Sequence, residues 1–262
     1  MASRTLDAPR SSGSPASASF SASASSASPS APASTPASAP SATADAPAEA
    51  TAVPRPGQPA LLVRQTRPRD VSELLRISYT VYGARGSWKP EELHLHQKVF
   101  PEGQFVAVDS RSRRVLGMAI SLVVEADRYP LEVPWRVITG QGRLSTHTPS
   151  GETLYAAGVA VDPKARGRGI GSALYRAREA LLQELGLSRI RAGARIPGYG
   201  AVADRMSPEG YVEEVVQGLR RDPTLSFQLS QGFRVLGVAP GYLRTDQASR
   251  GFAAVVEWRP SP

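Results

Sequence analysis

The sequence predicts a mixed α/β domain behind a low-complexity leader. Three observations predict it. Between Leu154 and Gly186 an apolar run enters a glycine-rich turn, and the turn opens a segment with apolar residues every three or four positions. Elsewhere, short β-rich runs alternate with helical periods, separated by Gly, Pro and Asp. Residues 59–262 are long enough to bury one substantial core.

The elements follow in order. Leu61 to Thr66 reads as a first strand. Asp70 starts a helix, with Glu73 three residues on in capping-box position. A second helix spans Pro90 to Val99. Gln104 to Asp109 and Val115 to Val124 form a hairpin around the polar turn Arg111 to Arg114. Residues 126–150 have no period and hold three prolines, which predicts an irregular loop. Leu154 to Val161 is the strand before the glycine-rich turn. In the helix after it, Ile170, Ala173, Leu174, Ala177, Leu181 and Leu185 share one face, and Gly186 ends it. Ser188 to Ile196 reads as a strand. Ser207-Pro208 opens a helix through Val216, and Asp222-Pro223 opens another before Gly232. Phe233 to Val238 and Gly251 to Trp258 are the last strands.

The leader is different. From residue 11 to 50, 34 of 40 residues are Ser, Ala or Pro, so there is nothing to bury in return for the entropy of ordering. Residues 1 to about 58 are expected to be disordered, with a boundary at Pro54, Pro56, Gly57 and Pro59. Arg is too sparse there for an organellar transit peptide, and no apolar run suits a signal peptide or a membrane span. A cytoplasmic protein is expected. Without Cys, the chain has no disulfide, thiolate metal site or Cys nucleophile, and no metal is expected. The leader is neutral, so the net charge of +8 lies on the folded part. Its basic residues are scattered rather than in a block, which fits a phosphate ligand better than nucleic acid.

That ligand has an evident seat. In Val159-Ala160-Val161-Asp162-Pro163-Lys164-Ala165-Arg166-Gly167-Arg168-Gly169-Ile170-Gly171-Ser172, a strand runs into a basic, glycine-rich turn and at once into a helix. Free N–H groups and the helix dipole favour an anion there, glycine lets the main chain approach it, and Arg166 and Arg168 add charge. The dinucleotide pattern would need glycine at Ser172, and the G-K-[ST] of a Walker loop is absent.

What is present, Arg166-x-x-Gly169-x-Gly171 after Val-Asp-Pro, resembles the acyl-CoA motif of the GNAT acyltransferase superfamily. Trp135 to Thr139, His147 to Gly151, Arg195 to Tyr199, Ala203 to Ser207 and Asp222 to Phe227 are similar to a subgroup often fused to a carbon–nitrogen hydrolase. The resemblance covers about residues 60–260 and implies the GNAT fold, a mixed sheet with helices on both faces. The chain stops soon after it, and a chain without Cys cannot carry the hydrolase's Glu-Lys-Cys apparatus, so hydrolase activity is not expected.

The resemblance implies acetyl-CoA as co-substrate. The backbone of Val159, Ala160 and Val161 would pair with its pantetheine arm, and the N–H groups of Gly167, Arg168, Gly169, Ile170, Gly171 and Ser172 would hold its pyrophosphate. It also implies direct attack of an amine, from a small molecule or a peptide, on the thioester. A separate carbon–nitrogen hydrolase is a further expected partner. The family's usual proton-handling groups are missing: the fourth strand has no Glu, and Gln228 stands where a Tyr would precede Gly232-Phe233. His147 is then the candidate base, and Tyr199 or Tyr211 a candidate proton donor. Asp204 and Met206 are expected near the acceptor cleft, and Arg189, Arg191 and Arg195 read as a solvated strand face. Two functions remain: an N-acyltransferase, or a non-catalytic module that binds acyl-CoA.

Overall fold

The computed structural model describes residues 61–261, so the expectation for residues 1–58 falls outside the described residues. Seven strands form one sheet: β1 (Leu61–Gln65), β2 (Gln104–Asp109), β3 (Val115–Val124), β4 (Thr153–Val161), β5 (Arg189–Arg195), β6 (Arg234–Ala239) and β7 (Ala253–Trp258). Their order is β1-β2-β3-β4-β5-β7-β6, and every pairing is antiparallel except β4 with β5. Every residue of β3 is buried, as a central strand covered on both faces requires.

Two helical layers supply that cover. On one face lie α1 (Val71–Gly86) and α2 (Pro90–Val99), where Leu74, Ile77 and Leu93 pack on Met118, Ile120 and Leu122. On the other lie α4 (Ile170–Glu184), α5 (Pro208–Val216) and α6 (Leu225–Ser230), where Leu174, Leu182, Val212 and Leu225 meet Ala119, Leu154 and Ile190. Proline at the first helical position starts both α2 and α5 where expected, and the Ser207 hydroxyl accepts from Gly210 N–H at 3.1 Å.

Three expectations are corrected. Asp70 and Glu73 form no capping box. Pro68 first makes a 3-10 turn, so the Asp70 carboxylate points back, accepting from Arg67 N–H at 2.7 Å and from Arg64, while Glu73 pairs with Arg76. The arginines of β5 are no solvated face. Arg189 bonds Thr153 Oγ1, Arg191 pairs with Glu257 at 2.8 Å, and Arg195 grips Asp246 through two 2.7 Å bonds. The stretch 126–150 is a tied loop containing the one-turn α3 (Trp135–Ile138). Side chains fasten it: Thr139 Oγ1 donates to Trp135 O, Thr146 Oγ1 to Ile138 O, and buried His96 bonds Gly142 O at 2.7 Å.

Candidate active site

β4 pairs with β3 along its length but with β5 only from Thr153 to Tyr155. Past Tyr155 the two parallel strands part, and among the described residues the β5-side edge of β4 has no strand partner through Val161. A bulge starts the separation: Ile120 faces Gly158 but Ser121 faces Ala156, which leaves Ala157 as the extra residue.

Side chains from three elements meet the carbonyls of this bulge. Trp135 Nε1 donates to Ala157 O at 2.8 Å. The Tyr82 hydroxyl, from α1, donates to Val159 O at 2.6 Å. From α4, Arg178 reaches Gly158 O and also bonds Ile120 O at 2.9 Å and Ser121 Oγ at 3.0 Å. The bulge is thus held from both faces. Burial pushes the Tyr82 phenol up to about 12, against the pull of Arg195 and Arg178, so it stays protonated. Trp88 packs against the bulge from the α1 side, and Tyr155 and Tyr242 share a 2.7 Å hydroxyl contact across the parting strands. Gly193 of β5 lacks a Cβ because the Tyr242 ring lies directly against it.

Below the open edge, β4 ends in the phosphate-type turn. The Asp162 side chain accepts from Lys164 N–H at 3.0 Å and meets Arg76 at 3.0 Å. Burial alone would raise the Asp162 carboxyl, but those two partners outweigh it and hold it below the usual carboxylate value. Gly167 and Gly169 both take φ of 75°, a left-handed backbone that suits glycine, and among the described residues nothing beyond the chain neighbours lies within 4 Å of the position of a Cβ at either. The first bond of α4 runs from Ala173 N–H to Gly169 O. The N–H groups of Gly169, Ile170, Gly171 and Ser172 are therefore the unpaired donors of the helix start. Arg166 is exposed beside them, and Arg168 approaches Asp109 at 3.8 Å. An open glycine cradle, free N–H groups and a basic rim fit a pyrophosphate. The free strand edge above fits an extended arm that carries amides.

These features coincide with a family relationship. Residues 69–203 match the acetyltransferase (GNAT) family. The chain belongs to the GNAT family. It is 31% identical over 204 residues to the uncharacterized N-acetyltransferase YkwB of Bacillus subtilis, covering 76% of this chain and 89% of YkwB. It is 36% identical over 198 residues to the probable hydrolase YhcX of the same organism, covering 76% of this chain but only 38% of YhcX. Its fold is similar to that of the loading GNATL domain of CurA from Lyngbya majuscula. The TM-score is 0.66 at 20% identity, over 76% of this chain and 97% of that one. A GNAT-like decarboxylase, GphF, solved with isobutyryl-CoA, gives 0.59 at 23% identity, over 75% of this chain and 98% of that one. GNAT proteins are acyltransferases that use acyl-CoA.

The proton-handling candidates are placed differently. His147 lies beside the paired end of the strands, stacked on Phe100 with ring centroids 4.5 Å apart. Its Nδ1 accepts from Val123 N–H at 3.0 Å, so the neutral ring carries its proton on Nε2 and has no free lone pair for an amine's proton. Burial also lowers its pKa, against the pull of Glu102 and the Val123 bond. The Tyr199 hydroxyl donates to Met206 O at 3.2 Å, and the ring packs on Tyr211 and Phe252. Tyr211 donates to Asp222 at 2.9 Å. Three residues at the bulge stand outside the sequence-predicted site: Tyr82, Trp135 and Arg178. Each joins it from a different element, Tyr82 from 77 residues away, and only Trp135 stood inside a recognised motif.

Proposed function

We propose that this protein transfers an acetyl group from acetyl-CoA to an amine by direct attack within a ternary complex. The observation that carries the reading is the unpaired edge of β4 leading straight into the glycine cradle of α4. Gly167 to Ser172 hold the pyrophosphate, and Val159 to Val161 offer main-chain groups to the arm. The thioester then lies at the bulge. The amine enters from the α1 side, between Tyr82, Trp88 and the Tyr155–Tyr242 pair.

The chain's contribution is mainly orientation. Two reactants held in line convert a bimolecular step into one within a complex. A main-chain N–H at the bulge, fixed by Arg178 and Trp135, can receive the charge that develops on the carbonyl oxygen. A separate carbon–nitrogen hydrolase as partner belongs to this proposal, supported by the similarity to the hydrolase-named YhcX. The test is consumption of acetyl-CoA by the full chain against a panel of amines, amino acids and peptides, with thiol release measured. Release that depends on one class of amine supports transfer. Binding of CoA without turnover of any amine would favour the non-catalytic module.

A further inference from the structure

A narrow hollow lies where β4 and β5 part, on the face of the sheet that carries α1 and α2. Leu131, Val133, Ile138 and Val255 form its walls, and Tyr155 and Tyr242 meet in it. Tyr155 is the last β4 residue paired with β5, and Gly193, two residues past its partner Arg191, lines the hollow from β5. Ala157, at the bulge, stands two residues further along β4, about 7 Å. The hollow is therefore next to the place assigned to the thioester, on the side from which the amine enters.

Its chemistry is uncharged. Among the described residues that line it, Arg191 is the one with a charge, and Glu257 already holds that guanidinium through bonds of 2.8 and 3.2 Å. None of those lining residues is a carboxylate, so an ammonium group would have no counter-ion there. A carboxylate would have to compete with the buried Glu257. An unpaired charge in such a place costs far more than a neutral group that is apolar or hydrogen-bonded. The tyrosines add one polar demand. Both are buried, and burial raises both phenols, so each keeps its proton. Their 2.7 Å contact uses one of the two protons, and the other has no acceptor among the described residues. A buried donor left over in this way is satisfied by a neutral oxygen of a ligand.

We propose that this hollow seats the far end of the acceptor, and that the acceptor is a primary amine on an unbranched, neutral, oxygen-bearing chain rather than a diamine or an amino acid. The inference rests on the acyl-transfer reading above and names its substrate class. The nitrogen lies at the bulge, a chain of roughly five carbons spans the distance to the tyrosines, and its terminal oxygen accepts the spare phenolic proton. When the nitrogen bonds to the acyl carbon, the C–S bond breaks, its electron pair stays on sulfur, and the nitrogen's surplus proton goes to water.

The test offers the full chain acetyl-CoA and a matched series: 5-aminopentan-1-ol, n-pentylamine, 1,5-diaminopentane and 5-aminopentanoate, which differ in the far end alone. With thiol release measured, kcat/KM for the alcohol is expected to exceed that for the alkylamine about fivefold, and those for the diamine and the amino acid at least about thirtyfold. The double variant Tyr155→Phe with Tyr242→Phe removes both hydroxyls and neither ring, and should bring alcohol and alkylamine level. Leu131→Asp, at the half-buried wall, should raise the diamine relative to the alkylamine by supplying the missing counter-ion. Melting curves report on folding, and should the double variant fail to fold, the wild-type series and Leu131→Asp carry the comparison. A wild-type preference for the diamine or the amino acid overturns the proposal, the latter by assigning Arg191 to a carboxylate. An alcohol advantage that survives the double variant overturns it as well. Transfer to none of the four, while CoA still raises the melting temperature, overturns it and leaves the acyl-CoA site standing. Absence of any CoA binding removes the acyl-CoA reading itself.

Discussion

At the scale of single residues, the glycine turn is local and the surroundings of His147 are not. The cradle is written in adjacent residues, Arg166 to Ser172, whose types report a local backbone need. Gly167 and Gly169 take the left-handed conformation, which a residue without a Cβ adopts freely. Arg178 and Tyr175 read as ordinary members of an amphipathic helix, because their partners Ser121 and Gln228 lie 57 and 53 residues away. His147 shows the converse error. An imidazole in a loop before the fourth strand suggested a base, yet its free nitrogen was already needed by Val123 N–H. His147→Ala is therefore expected to lower the melting temperature while leaving turnover within a few-fold. A loss of about 10²–10⁴-fold in turnover, with the acidic limb of the pH–rate profile gone, would restore it as the base. Arg166→Ala should weaken CoA about tenfold, or ~1.4 kcal/mol, read by calorimetric titration. Affinity equal to wild type would move the charge contact elsewhere on the rim.

At the scale of elements, boundaries set by local chemistry were predicted closely and those set by distant side chains were not. α2 and α5 begin where proline follows an extended residue, which a sequence displays directly. The loop 126–150 has no period to read, since its order comes from hydrogen bonds such as His96 to Gly142 O. That contact has a pH signature. Burial, opposed by the Gly142 bond, lowers the His96 pKa from 6.5 to about 4. The unfolded chain then binds a proton more readily than the native one, so stability is whole above pH 6.5 and declines as pH falls toward 4. The loss should reach roughly 3 kcal/mol, measured by urea unfolding across that window. His96→Gln should flatten the slope, and an unchanged slope would assign it to another group. Asp222 is the second anchor, buried and accepting from Gly198 N–H, the Tyr211 hydroxyl, Thr224 N–H and Leu225 N–H. Asp222→Ala should cost roughly 3 kcal/mol, seen as a lower urea midpoint at constant slope. A change within 0.5 kcal/mol, the range of an ordinary surface substitution, would show that those donors find other partners.

At the scale of the whole molecule, the site is a consequence of topology. One parallel pairing in an otherwise antiparallel sheet obliges β4 to cross to β5 through α4, and this puts a helix N-terminus at the foot of the parting strands. The order of strands and helices disclosed that arrangement in the sequence. The parting itself has no signature in the sequence, because a bulge at Ala157 leaves no mark in an apolar run. This foot and edge are the proposed seat of acyl-CoA. Thermal melting of the full chain with increasing CoA tests it most directly, set beside Gly169→Asp, which puts a side chain and a negative charge into the open cradle. The wild-type melting temperature is expected to rise with CoA as mass action requires, and the variant to fold but show no rise. No rise in the wild type at millimolar CoA, or an equal rise in Gly169→Asp, would contradict it.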